Sequence, residues 1–236
     1  MKSFASPYGF EVHDGIWLMR DGVAEKRRRI PRKKEVVALS LLAEDVVCRI
    51  SELDLGHHFV SHIHRLDESQ DEIRESYKAL GYRSMLSEGM FVHDLLDIPK
   101  YTSQPEVRQV VTIEDSEKIK KVRRNRAAIR DSDLTSENPE HRLYAIVDRT
   151  RAYGWVGSIP FCDQTWVADL FVRQGYRGRG YGRSLMSAFM AADKAEGINR
   201  SVLLASSAGA RLYPHLGYRQ IGTLQLFCPA KVRSAI

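Results

Sequence analysis

Between Arg173 and Arg183 the chain carries four glycines (Gly175, Gly178, Gly180, Gly182) and four arginines (Arg173, Arg177, Arg179, Arg183). The apolar stretch before it, Thr165–Arg173, has the alternation of a strand, and Tyr181–Glu196 after it has the apolar spacing of a helix, so the glycines fall in a strand-to-helix turn. Glycine permits positive φ and lets a ligand approach the backbone. The first N–H groups of a helix have no partner within it and favour a negative charge. No Asp or Glu stands among residues 170–192, so nothing there offsets the arginines. This chemistry asks for a pyrophosphate. No Gly-Lys-Ser/Thr follows, which excludes the nucleoside-triphosphate loop, and Arg183 stands where a dinucleotide fingerprint needs its third glycine. The competing reading is a turn whose glycines serve only the backbone path.

The whole 236-residue sequence is that of a globular protein, 43% hydrophobic and 28% charged. It is long enough for one large domain or two small ones. No apolar run spans a bilayer, and the opening residues contain no leader-like apolar segment, so the expected location is the cytoplasm. Cys48, Cys162 and Cys228 are too few and too scattered for a disulfide framework or a cysteine-built zinc site. Residues 1–118 hold 17 Lys/Arg against 21 Asp/Glu, whereas residues 119–236 hold 19 against 9. An anionic partner, if the protein has one, is expected to bind the second half. The basic run Lys26–Lys34 is interrupted by Pro31 and reads as a solvated loop, so neither nucleic acid nor membrane is expected as a partner.

The turn-rich stretch Asp97–Pro105 suggests a division into residues 1–104 and 105–236. An internal echo supports it. Tyr77-Lys-Ala-Leu-Gly-Tyr-Arg83 matches Tyr213-Pro-His-Leu-Gly-Tyr-Arg219, and Phe91 falls on Phe227 in the same register. Duplication and two helices with the same glycine stop both account for it. The second half reads as strands at Val107–Ile113, His141–Val147, Trp155–Ile159, Thr165–Arg173, Ser201–Ala205 and Gly222–Phe227, with helices at Ser116–Arg130, Tyr181–Glu196 and Ala208–Leu216. In the first half, Ile16–Arg20, Phe59–His64 and Met90–Leu95 read as strands, Asp67–Leu80 as a helix, and Lys34–Ile50 as helix running into strand.

Arg177-x-x-Gly180-x-Gly182 after a strand ending Leu-Phe-Val, followed by RLYPHLGYRQIG at Arg211–Gly222, resembles the acyl-CoA signature and the later tyrosine motif of the GNAT acetyltransferases. The likeness covers about residues 105–236. It implies an α/β fold with a mixed, mostly antiparallel central sheet flanked by helices, and acetyl-CoA as co-substrate with no metal. It implies that the backbone of Arg177, Gly178, Arg179, Gly180, Tyr181, Gly182 and Arg183 holds the CoA pyrophosphate, and that the strand edge at Leu170, Phe171 and Val172 pairs with the pantetheine arm. Tyr213 matches the tyrosine near the CoA sulfur and would protonate the leaving thiolate. Ser206 stands where the family often has Asn, and Pro214 beside Tyr213 removes a helix N–H.

No motif fixes the general base. Asp169, on the strand facing the acyl group, ranks ahead of His215. The first half resembles the late part of the same fold without its Gly-Arg turn, as a smaller, degenerate copy. His62 and His64 share a strand face there, either as a metal pair or as an ordinary His-rich strand; the latter is favoured because no acid or cysteine ligand has matching spacing. The expected activity is transfer of acetyl from acetyl-CoA to a primary amine on a small molecule or peptide by direct attack. The alternative is a non-catalytic CoA-binding module.

Overall fold

The computed structural model describes residues 8–13, 15–21, 34–124, 127–137, 139–207 and 209–230. The basic run Lys26–Lys34, apart from Lys34, lies outside them. Contacts divide the chain into two compact units. One comprises Met1–Met90, Ala205–Ser207 and Ile221–Ile236, and the other Phe91–Leu204 and Ala208–Gln220. The units thus do not follow a single cut in the chain.

In the first unit the strand order is β1 (Tyr8–His13), β2 (Ile16–Asp21), β3 (Lys34–Leu39), β4 (His58–His64), β11 (Arg219–Pro229) and β5 (Tyr82–His93). Only β3 and β4 run parallel among the registered pairs of this unit. Helix α1 (Ala43–Glu52) supplies the crossover between them, and α2 (Gln70–Ala79) follows β4. Val36, Ala38, Val46, Ile50, Val60, Tyr77 and Phe227 form its core.

The segment from Lys34 onward corrects the sequence reading: strand precedes helix. Val36 and Ala38 alternate inward on β3, and Ser40 at φ 48° breaks the strand. Glu44 and Asp45 then occupy the first turn of α1, where the helix dipole favours acids. Helix α2 starts later than expected because the Ser69 side chain caps it, accepting from the Glu72 N–H at 3.3 Å.

In the second unit the order is β10 (Arg200–Ala205), β9 (Gln164–Val172), β8 (Ala152–Phe161), β7 (Arg142–Val147) and β6 (Val107–Gln109). The β10–β9 pair is parallel and the others antiparallel. Val110, Ile119, Ile129, Leu134, Leu143 and Trp155 pack into one cluster. Helix α5 (Tyr181–Ala195) buries Leu185, Met186, Phe189 and Met190. Its Asp193 is fully buried, accepts from Ser158 Oγ at 2.6 Å and lies 3.4 Å from Arg142. Burial pushes that carboxyl upward.

Three sequence expectations need correction here. The strand from Val107 stops at Gln109, because Thr112 caps helix α3 (Ile113–Val122) by accepting from the Asp115 N–H at 3.3 Å. The helix expected through Arg130 ends at Val122; Arg124 adopts φ 53°, and a short helix α4 (Asp131–Thr135) follows separately. The helix expected over Ala208–Leu216 is a 3-10 turn at Tyr213–Leu216, with Pro214 near its start and Gly217 ending it at φ 86°.

Candidate functional site

The glycine-rich turn hangs from the end of β9. The Arg173 N–H donates to the Tyr153 carbonyl at 2.9 Å, and Gln174–Tyr176 forms one 3-10 turn. Arg177 folds back, its Nε donating to the Val172 carbonyl at 3.0 Å, which fixes the turn to the strand end. Gly178 and Gly180 both have positive φ, 75° and 81°. A Cβ on either would meet no protein atom within 4 Å, so the space before this backbone is open. Steric crowding within the protein therefore does not explain the glycines; conformation and access do.

Gly180 is the N-cap of α5 and has no side chain with which to cap it. The first-turn N–H groups thus have no side-chain cap from this residue. Arg179 and Arg173 lie over the Tyr176 ring at 5.3 and 5.9 Å, and Arg183 lies over Tyr101 at 5.5 Å. The Tyr181 hydroxyl donates to the Gln104 carbonyl at 2.9 Å. The cations are therefore held around the turn by aromatic faces.

Strand β9 supplies a second feature. Its register against β8 runs from Trp155↔Phe171 to Gly157↔Ala168, so β9 carries an extra residue at Asp169–Leu170. Asp169 takes φ 54° at this bulge. On the other side, β10 pairs with β9 only through Gln164–Trp166. Beyond Trp166 the two parallel strands lose their ladder, leaving the edge that contains Leu170, Phe171 and Val172 available to an extended ligand with amide groups.

Among the residues singled out from sequence, the turn, the Leu170–Val172 edge and Tyr213 all belong to this second unit. Leu212, next to Tyr213, lies 3.5 Å from where a Gly182 Cβ would stand, which brings the 3-10 turn against the first turn of α5. Tyr213 is buried, with its ring 5.7 Å from Phe91 and 5.6 Å from Tyr218. His215 is exposed on the same turn. Ser206 is exposed after β10 and belongs to the first unit.

The Asp169 carboxylate is engaged. Arg123 donates to it in an ion pair, and Trp155 Nε1 donates to the same oxygen at 3.0 Å. The Nδ1 atoms of His62 and His64 meet the Tyr77 hydroxyl at 3.0 Å and the Arg65 carbonyl at 2.9 Å. Burial drives the His62 pKa down to about 4. Among the described residues no group of three or more His, Cys, Asp or Glu is placed to hold a metal ion, and no helix is long and apolar enough to cross a membrane.

The sequence reading passed over one residue beside this site. His141 precedes β7, and its Nε2 is sealed and without a hydrogen-bond partner. Only its packing against Gly157 draws notice to it, and that contact has no signal in the sequence.

Residues 139–220 match the family model described as an acetyltransferase (GNAT) domain. No curated protein sequence matches the chain. Among solved structures, a GCN5-related N-acetyltransferase from Kribbella flavida aligns with TM-score 0.62 at 12% identity, covering 99% of this chain and 94% of that one. One from Sphaerobacter thermophilus aligns with TM-score 0.60 at 17% identity, covering 93% and 82%. A GCN5-related N-acetyltransferase-like protein from Streptococcus suis gives 0.52 at 14% identity, covering 93% and 87%. The fold is that of GNAT acetyltransferases, with the family's domain at residues 139–220.

Proposed function

We propose that the protein is an N-acetyltransferase that moves acetyl from acetyl-CoA to a primary amine by direct attack. The observation that carries this reading is the pairing of two open features on one strand. The β9 edge lacks a ladder partner beyond Trp166, and the turn at the end of the same strand is open before Gly178 and Gly180. An extended arm ending in a pyrophosphate fits that pair.

The thioester brings an acyl group that is already activated, so the protein supplies position and proton handling. The backbone of Arg177–Gly182 holds the pyrophosphate, with the dipole of α5 behind it. The edge at Leu170–Val172 orients the arm, and a backbone N–H beside the bulge is suited to polarise the acyl carbonyl. The Tyr213 hydroxyl gives a proton to the departing thiolate. Residues 1–104 are then a degenerate copy without a CoA site. The protein acts without a metal and in the cytoplasm.

The rival reading, a CoA-binding module without turnover, draws on the engaged carboxylate of Asp169. Thiol release from acetyl-CoA across amines, polyamines, amino acids and peptides, with mass analysis of the products, separates the two. A product heavier by one acetyl group and a matching rise in free thiol are expected. CoA binding with no product from any amine would establish the binding module, and no CoA binding would remove both.

A further inference from the structure

Resting on the acetyltransferase reading, we propose that His141 is the residue that takes the proton from the acceptor amine. A Cβ on Gly157 would stand 2.5 Å from His141 Nε2 and 3.1 Å from the Ala168 carbonyl oxygen. The imidazole thus occupies a gap that exists only because residue 157 is glycine. That gap borders Ala168, the residue immediately before the Asp169–Leu170 bulge. His141 therefore stands beside the β9 bulge at Asp169–Leu170.

The chemistry of the ring suits the role. Nε2 is buried without a partner. An amine N–H that reaches the ring supplies the missing partner. Burial is the largest influence on the imidazole and lowers its pKa below the ordinary 6.5. The charges that face it come in opposing pairs: Asp133 of α4 with Arg130 at its start, and Asp169 of β9 with Arg123 after α3. Arg130 is further tied to Glu140, and Arg123 to Asp169. The imidazole is therefore neutral at physiological pH and free to accept a proton. Asp169, held by Arg123 and Trp155, keeps that guanidinium from facing the ring alone.

The step balances. The amine lone pair forms the C–N bond to the acyl carbon, one N–H proton passes to Nε2, and the C–S bond breaks with its electron pair leaving on sulfur. The thiolate takes its proton from Tyr213, His141 passes its own to solvent, and solvent returns one to the Tyr213 phenolate, so both residues end as they began.

The test compares wild type, His141→Gln and Gly157→Ala, using acetyl-CoA and the best amine from the thiol-release screen. CoA affinity and thermal midpoint are measured alongside. In wild type, log kcat/KM should fall more steeply, by one proton, below a pKa under 6.5. In His141→Gln that added steepness should vanish, and the neutral-pH rate should drop about 10²–10⁴-fold, with CoA affinity retained. Gly157→Ala, which displaces the ring, should lose rate in the same way and serves if His141→Gln does not fold. A wild-type rate and pH profile in a folded variant of either kind overturns the role of His141 while leaving the acetyltransferase reading intact. CoA binding without transfer to any amine by wild type overturns both.

Discussion

The rings of Tyr77 and Phe227 stack at 4.1 Å between centroids with 18° between planes, although 150 residues separate them in the chain. Tyr77 also meets Tyr82 edge-on at 5.8 Å. The second unit repeats the pattern: Tyr213 meets Tyr218 edge-on at 5.6 Å and lies 5.7 Å from Phe91. In each unit the tyrosine of one echo segment packs on the phenylalanine that follows the other. Gly81 and Gly217 sit between the paired tyrosines, both left-handed, at φ 81° and 86°. The two echo segments thus make matching ring contacts, one set within each unit.

If the first half is a degenerate copy, it has no CoA site of its own. Calorimetric titration of the intact protein with CoA should give one site per chain. Two sites per chain would remove the degenerate-copy reading. A single site that persists after the Arg177–Gly182 turn is altered would relocate the cofactor.

Gly180 gives that alteration a defined form. Its left-handed φ of 81° costs a non-glycine residue about 1–2 kcal/mol. Since a Cβ there meets no protein atom within 4 Å, Gly180→Ala should fold with a modestly lower thermal midpoint. Its methyl group enters the space that the pyrophosphate needs, so CoA affinity should fall by at least tenfold, roughly 1.4 kcal/mol. Unchanged affinity by calorimetry would show that the ligand does not use this backbone.

The turn, helix α5 and the strands from β7 to β10 were legible because their periods are strong and their ends are marked by glycine or by charge. The order of strand and helix after Lys34 was not, because Val36, Val37, Leu41 and Leu42 form one dense apolar stretch in which either period fits. Thr112, the cap of α3, is masked by the alternating residues before it, which carry a strand period. At the site, the glycines stand out by their spacing, and Tyr213 only by its likeness to the family's later motif. The engagement of Asp169 by Arg123 and Trp155, and the seat of His141 over Gly157, depend on long-range register. Local sequence does not encode that register.

His62 makes stability depend on pH. Burial lowers its folded pKa to about 4, while the unfolded chain titrates near the ordinary 6.5. Between those values the unfolded state binds the extra proton, so stability rises with pH through this window and levels off above it. The slope from one such group is at most about 1.4 kcal/mol per pH unit. His58, His93 and His141 are also lowered by burial and add to the same acid loss. His62→Asn should therefore flatten the fall of the thermal midpoint between pH 6.5 and 4 without abolishing it. The variant will be less stable at neutral pH, since the Tyr77 hydroxyl loses its partner at 3.0 Å. An acid limb as steep as that of wild type would mean that His62 titrates normally.

Tyr213 separates chemistry from packing. Its ring is held by Phe91 and Tyr218, and those contacts survive in Tyr213→Phe. If the hydroxyl only fills space, the variant changes the thermal midpoint and leaves the rate alone. If it donates to the thiolate, kcat falls about 10²–10⁴-fold while CoA affinity and the midpoint move little. The reason is that protonation of sulfur belongs to bond breaking and contributes little to binding the intact thioester. Pro214 is the feature most able to defeat this outcome. It stands second in the 3-10 turn, where its ring restricts the backbone of Tyr213 before it. Acetyl-transfer rate and midpoint are to be measured on the same preparation. A normal rate would take Tyr213 out of the mechanism and leave water as the acid for the thiolate.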